Sequence, residues 1–298
     1  MSGLISPATR TTYGVKRTCR AFGVPRSSYY AHHHHDLDRP RTEQHKRGPK
    51  MDLTDDALLA LIRLDLETSP FQGEGHRKVW ARLRVLQGVR TSRKRVLRLM
   101  REANLLAPSR RPQGQVKLHE GTITTEEPGG MWGTDGARIL TADEGWVWAF
   151  FCVEHWNAEC VGYHVTKRGT RFAALEPLSM ALTDIYGSLR ADVARGLALR
   201  LDHGSQYLAD HFQNQIRYWG IAPSFAFVEE PQTNGCAERF IRTFKEQAVY
   251  GRVFRNQEDV RAAVAAFVET YNTEWRLEKL GFMTPREARE NHERALAA

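Results

Sequence analysis

The sequence predicts a layered α/β domain preceded by a basic, all-α region, and three observations carry that expectation. Residues 131–166 hold three runs rich in aromatic and β-branched side chains, "MWGTDGARIL", "GWVWAFFCVE" and "ECVGYHVT", separated by short polar turns. That is the pattern of an antiparallel meander. From 172 to 250, helix-spaced apolar stripes alternate with short apolar runs, as in helices packed on a sheet. Finally, residues 1–120 carry 24 Lys and Arg against 11 Asp and Glu, whereas residues 121–298 carry 19 against 24. A basic half joined to a slightly acidic one is what a polyanion-binding module fused to a separate functional domain would show.

A chain of 298 residues can bury a full core and is long enough for more than one domain. It contains no run of about 18 apolar residues and no apolar signal-peptide core, so a soluble cytoplasmic protein with no membrane partner is expected. Cys19, Cys152, Cys160 and Cys236 form no C-x-x-C pair and read as reduced thiols, with neither a disulfide framework nor a zinc ribbon.

In chain order, residues 11–34 read as two short helices around Gly23-Val24-Pro25, a pairing like a helix-turn-helix. His32 to His35 point in different directions on a helix and cannot all ligate one ion. Residues 36–50 are a polar, charged linker. Between 52 and 107, Leu58, Leu59, Ile62 and Leu66 recur at helical spacing, as do Val79, Leu83 and Leu86 before Gly88. Thr91 or Ser92 can cap the next helix, whose apolar face is Val96, Leu97, Met100 and Ala103. Its other face carries Arg93, Lys94, Arg95 and Arg98, a solvated surface or a DNA-reading element; the basic context favours DNA.

A second linker follows. Beyond the meander come a helix with Phe172, Leu175, Leu178 and Leu182, a strand at 197–202, a helix at 207–219, a strand at 223–228 and a helix at 234–250. Asn256 then caps a helix whose Val260, Val264, Phe267, Val268 and Tyr271 form a stripe expected to pack on the core. The expected divisions are 1–50, 51–110, a linker at 111–125, 126–250, and a helical extension at 251–298.

Three acidic residues fall where strand ends and helix starts converge: Asp135 in the first strand, Asp202 closing the fourth, and Glu238 in the first turn of the helix from 234. Carboxylates so gathered suit two divalent ions about 3.5–4 Å apart, which activate an attacking oxygen and stabilise a leaving one. Taken singly, they also read as a strand-edge charge, a turn residue and a helix N-terminal charge. Arg242 and Lys245 share a helix face with Glu238 and serve either charge compensation or contact with a phosphate backbone.

Asp202 and Glu238 have 35 residues between them, and "LDHGSQY" and "TNGCAERFIRTFKEQ" resemble the second and third acidic motifs of the D, D-35-E transposase and retroviral-integrase core; "MWGTDGARI" resembles the first. The match is similar to the transposases of the IS3 group of bacterial insertion sequences and spans most of the chain. "FGVPRSSYY" resembles their N-terminal helix-turn-helix, residues 52–106 their second helical module, and "YNTEWRLEKLGFMTPREA" their C-terminal signature. Two departures leave the acids untouched. Trp275-Arg276-Leu277 stands where the family usually has Arg-x-His, and Thr233-Asn234-Gly235-Cys236-Ala237 lacks the usual Asp-Asn-Ala.

The resemblance implies an RNase H-like catalytic core, a mixed five-stranded sheet flanked by helices, preceded by all-α helix-turn-helix modules. It implies a DNA transposase that binds terminal inverted repeats and performs metal-dependent cleavage and strand transfer. Asp135, Asp202 and Glu238 would hold two Mg²⁺ or Mn²⁺ ions, with Asp135 bridging them. Arg26, Ser27 and Ser28 in the first module and Arg93, Lys94, Arg95 and Arg98 in the second become candidates for DNA recognition, with Arg242 and Lys245 beside the acids. The implied partners are element ends, target DNA and further copies of the chain, in the nucleoid of a bacterial cytoplasm. A catalytically silent DNA-binding regulator and an RNase H-like nuclease that never joins ends are the alternatives.

Overall fold

The computed structural model describes residues 3–33, 53–108, 125–225 and 235–297. The linker expected at 36–50, nearly all of that at 111–125, and His34, His35 and Asn234 lie outside the described residues. The chain divides into two compact units, Met1–Asp52 and Leu53–Ala298.

In the first unit α1 (Gly14–Ala21) and α2 (Arg26–His33) flank a tight turn. Gly23 sits there at φ +63°, a conformation that costs a residue without Cβ little, and Val24 N–H donates to the Cys19 carbonyl at 3.0 Å. Arg26, Ser27 and Ser28 are exposed in the first turn of α2.

The second unit opens with α3 (Asp55–Thr68), α4 (His76–Leu86) and α5 (Arg93–Glu102). Thr54 Oγ1 accepts from Ala57 N–H and Ser92 Oγ from Arg95 N–H, each at 3.2 Å, so Ser92 is the cap of α5. Leu58, Ile62, Val79, Leu83, Val96 and Met100 pack as their core. This bundle rests on the C-terminal extension, where Phe71 meets Trp275 edge-on at 4.7 Å and Trp80 meets Phe282 at 5.3 Å, and on the turn before it, where Gln72 and Gln247 exchange two hydrogen bonds of 2.9 Å.

The sheet contains β1 (Met131–Thr141), β2 (Gly145–Glu154), β3 (Cys160–Thr166), β4 (Ala198–Leu201) and β5 (Ala222–Phe225), in the order β3-β2-β1-β4-β5. The first three are antiparallel, and β4 and β5 run parallel to β1, as an RNase H-like sheet requires. Strand alternation sends Trp132, Phe150, Leu199 and Leu201 to one face, under α6 (Glu176–Tyr186) and α8 (Asp210–Tyr218). Ala137, Ile139, Val147 and Phe151 go to the other, under α9 (Gly235–Phe244) and α10 (Gln257–Glu274). Gly162 lets α6 approach closely, because a Cβ there would lie 1.9 Å from the Pro177 carbonyl oxygen. Asn256 caps α10 by accepting from Asp259 N–H at 3.0 Å, and the α10 stripe packs on the core as expected. The last helix, α11, covers Pro285–Ala297.

Some expected elements come out differently. The helix at 207–219 is two pieces, α7 (Ser205–Leu208) and α8, because Ala209 takes an extended conformation at ψ 134°. The helix at 234–250 ends in a π-helical turn, Lys245–Val249. Helix α6 starts at Glu176, so Phe172 precedes it and stays half exposed. Strand β5 is described only to Phe225, since 226–234 lie outside the described residues. The four cysteines are free thiols. Among the described residues no helix is long and apolar enough to cross a membrane.

Candidate active site

Parallel pairing of β1 with β4 decides where the acids fall. Gly133 lies opposite Arg200, so two residues further along both strands Asp135 and Asp202 reach the same level. Both then have the parity of Ala137, pointing toward the α9 side. Strand β4 ends at Leu201, and Asp202 begins the loop into α7. Its Oδ1 accepts from Gly204 N–H at 2.8 Å, and a Cβ on Gly204 would come within 2.9 Å of that same oxygen. The Gly204 N–H thus holds the carboxylate in place. Asp135 Oδ1 accepts from Gly136 N–H at 2.7 Å. Glu238 lies in the first turn of α9, where the helix dipole favours a negative charge.

The electrostatics register the convergence. Burial pushes the Asp135 carboxyl up to about 7, the Gly136 N–H opposes that shift, and the charges of Asp202 and Glu238 add to it while Lys245 counters them. Glu238 is also raised, by burial first and by Asp202, against the pull of Arg242. Each acid is thus within electrostatic reach of the others, and Arg242 of α9 and Lys245 of the π-helical turn after it each act on one of them. Among the described residues no group of three His, Cys, Asp or Glu side chains forms a ready-made cation cage. The donor set still fits a hard divalent cation: three oxygen-bearing side chains of one sign, partly withdrawn from water, whose repulsion a cation would relieve.

Two further polar side chains are buried next to Asp202 along the chain, on α7 and β4. Tyr207 is fully buried and its hydroxyl lies in the field of both Asp135 and Asp202. Arg200, 6% exposed, donates from Nη1 to Ser224 Oγ at 2.8 Å and has the parity of Asp202. The alternation in "ALRLD", with Leu199 and Leu201 on the opposite face, is the signal that could have found it.

Of the basic candidates, Arg95 and Arg98 both pair with Asp55, at 2.7 and 2.6 Å, and Arg98 also reaches Glu102 at 2.9 Å. Arg93 pairs with Glu278 at 2.8 Å. Lys94 is exposed. The polar face of α5 is therefore largely engaged with carboxylates brought by α3 and by the C-terminal extension.

A family model described as Integrase core domain matches residues 219–285, and one described as HTH-like domain matches residues 55–113. Transposase InsF for insertion sequence IS3A of Escherichia coli (strain K12) is 25% identical over 89% of each chain. The transposase for insertion sequence element IS629 of Shigella sonnei is 24% identical over 94% of this chain and 92% of its own. Among solved structures, the catalytic core domain of BIV integrase aligns with 57% of this chain and 99% of its own, at 20% identity and a TM-score of 0.41. The simian T-cell lymphotropic virus intasome in complex with PP2A regulatory subunit B56 gamma aligns with 77% of this chain and 74% of its own, at 15% identity and a TM-score of 0.45. An HTH-like match thus precedes an integrase-core match along one chain, and insertion-sequence transposases align with it over most of its length, so the chain is similar to the IS3-group transposases from end to end of that alignment.

Proposed function

We propose that the protein binds the terminal inverted repeats of its own insertion sequence and carries out metal-dependent cleavage and strand transfer at Asp135, Asp202 and Glu238. The observation that supports this most is the mutual electrostatic reach of three carboxylates from β1, the β4–α7 loop and the start of α9. These three would hold Mg²⁺ or Mn²⁺, two ions per site, which when bound supply Lewis-acid activation of the entering oxygen and stabilisation of the leaving one.

The chain's own residues do the rest. Asp135 and Asp202 orient oxygen ligands from adjacent strands, and Gly204 fixes the Asp202 carboxylate. Arg242 of α9 and Lys245 of the turn that follows it hold the phosphate backbone of the DNA beside the acids. In the first reaction water attacks the phosphodiester at the element end and the P–O3′ bond of the element's terminal nucleotide breaks; a proton from the water ends on that oxygen, which leaves a free 3′-hydroxyl on the element and a 5′-phosphate on the flank. In the second that hydroxyl attacks a target phosphodiester, loses its proton to solvent, and displaces the target's own 3′-oxygen. No covalent intermediate with the protein is formed.

End recognition belongs to the helical modules, through Arg26 and Ser27 of α2 and through α5, where Lys94 is exposed and Arg93, Arg95 and Arg98 would exchange carboxylate partners for phosphate. Joining two ends calls for more than one copy of the chain. The test is an assay of nicking and joining on branched oligonucleotides carrying the element ends, in Mg²⁺, Mn²⁺ or EDTA, with wild type and Glu238→Gln. Cation-dependent joining by wild type alone is expected. Hydrolysis without joining would make it a nuclease, and tight DNA binding with no strand chemistry a regulator.

A further inference from the structure

The sheet face under α6 and α8 is covered only in part. Register pairs Arg138 with Trp148 and Leu140 with Trp146, so these four side chains continue the face that carries Trp132 and Phe150. Beyond Phe150 the cover ends. Trp146 is 50% exposed and Leu140 58% exposed. The Arg138 guanidinium lies 4.7 Å from the Trp146 ring centre and 5.7 Å from that of Trp148, and Trp148 stacks on Phe150 at 5.5 Å with planes 6° apart.

The segment entering α6 adds to this strip. Gly169 lies against the Trp148 indole, where a Cβ would come within 2.5 Å of the ring. Phe172, 50% exposed, packs on His211 at 4.6 Å with the Arg171 guanidinium 4.8 Å above it. Arg138, Arg168 and Arg171 have no carboxylate partner among the described residues.

The support under the strip is firm. At the β1–β2 turn Ala142 N–H donates to the Phe254 carbonyl and Asp143 N–H to the Arg255 carbonyl, both at 2.8 Å, and Glu144 accepts from Gln257 N–H at 2.7 Å. Arg138 is three residues from Asp135 along β1, roughly 10 Å at ~3.3 Å per residue, but on the opposite face of the sheet, so a strand that reached both would pass over the edge of β1. Pairing with β4 ends at Gly133, so this half of β1 has no β4 neighbour among the described residues.

Exposed rings interleaved with unpaired guanidinium groups match one ligand chemistry, an unpaired nucleic-acid strand, whose bases stack and whose phosphates meet arginine. We propose that Trp146 and Phe172, with Arg138, Arg168 and Arg171, form a stacking platform for unpaired bases of the DNA flanking the reacting phosphate. This rests on the reading of the acidic site as a DNA strand-transfer centre. The platform would hold a strand splayed from the duplex and would favour frayed over fully paired ends.

The test uses the full chain and two labelled probes, an element end with six unpaired nucleotides at the reacting terminus and the same end fully paired, at fixed salt. For Trp146→Ala and Arg138→Ala, affinity for the splayed end should fall about tenfold while that for the paired end changes less than twofold, and Trp146→Phe should restore most of the loss. Equal effects on both probes, or none, would overturn the platform even where wild type joins strands. Wild type that discriminates splayed from paired ends through Trp146 yet never joins them would sustain the platform and sink the strand-transfer reading. Loss of self-association in Trp146→Ala with DNA affinity unchanged would assign the strip to contact between copies and overturn the proposal.

Discussion

Two clusters of charge differ in how far they leave water and in how directly the chain pairs them. In the helical bundle Arg82 is buried between Asp65 and Glu74. Its Nε and Nη2 donate to Asp65 at 3.0 and 2.8 Å, and its Nη1 donates to Glu74. In the sheet layer Asp135 and Glu238 each feel the charge of Asp202, Asp135 also feels that of Glu238, and Lys245 and Arg242 oppose them without an ion pair to any of the three among the described residues. In the first cluster the guanidinium hydrogen-bonds both carboxylates and Lys78 lies in the field of Glu74, so each acid has a cation at hand. In the second the cations act only at longer range, an arrangement that persists where function maintains it.

The largest effect that can break this comparison lies in the bundle. Arg82→Met leaves two buried carboxylates without their partner and should cost about 3–5 kcal/mol, read from urea unfolding. Replacing Arg82, Asp65 and Glu74 together with apolar residues should recover most of that loss. A mild Arg82→Met would mean that water already reaches the cluster.

The acid trio predicts a smaller effect with a definite sign. Asp135 is raised to about 7 from an ordinary 3.8, so between pH 4 and 7 the folded chain binds more protons than the unfolded one. Stability of the protein in EDTA should therefore fall as pH rises through that window and level off above it, by about 2 kcal/mol after allowance for solvent. Saturating Mn²⁺ should flatten the fall, as melting temperatures at successive pH values would reveal.

Smaller still is the contribution of the cations near the acids. Lys245→Ala should weaken binding to element ends severalfold and lower the slope of log affinity against log salt by about 1. An unchanged slope would confine Lys245 to balancing Asp135. Glu278 pairs with both Arg77 and Arg93, at 3.2 and 2.8 Å, on the surface. Glu278→Gln should release Arg93 and tighten end binding about twofold, the scale of exposed pairs.

Much of this was legible in the sequence where the signal is local or periodic. The meander at 131–166, the capping Ser92 and Asn256, and the apolar stripe of α10 depend on neighbours a few residues away, and all three occur in the fold. The acids could be named because "MWGTDGARI", "LDHGSQY" and "TNGCAERFIRTFKEQ" resemble three acidic motifs of a known core, but their mutual field depends on the parallel pairing of β1 and β4, which no local pattern encodes. The same holds for Arg95 and Arg98, whose partner Asp55 lies 40 and 43 residues away and turns an apparently free basic face into a paired one. Helix periodicity did not reveal the break at Ala209 or the π-helical turn at Lys245–Val249. Strand alternation put Trp146 and Arg138 on one face, but which part of that face α6 would leave uncovered is a matter of packing.

The most direct measurement compares Asp135→Asn with wild type in two readouts, melting temperature in EDTA at pH 8 and strand joining in Mg²⁺. Removal of one charge from a repelling trio should raise the melting temperature and abolish joining together, by at least about a hundredfold. A variant that still joins strands, or one that melts lower while DNA binding is intact, would contradict the assignment of the three acids to catalysis.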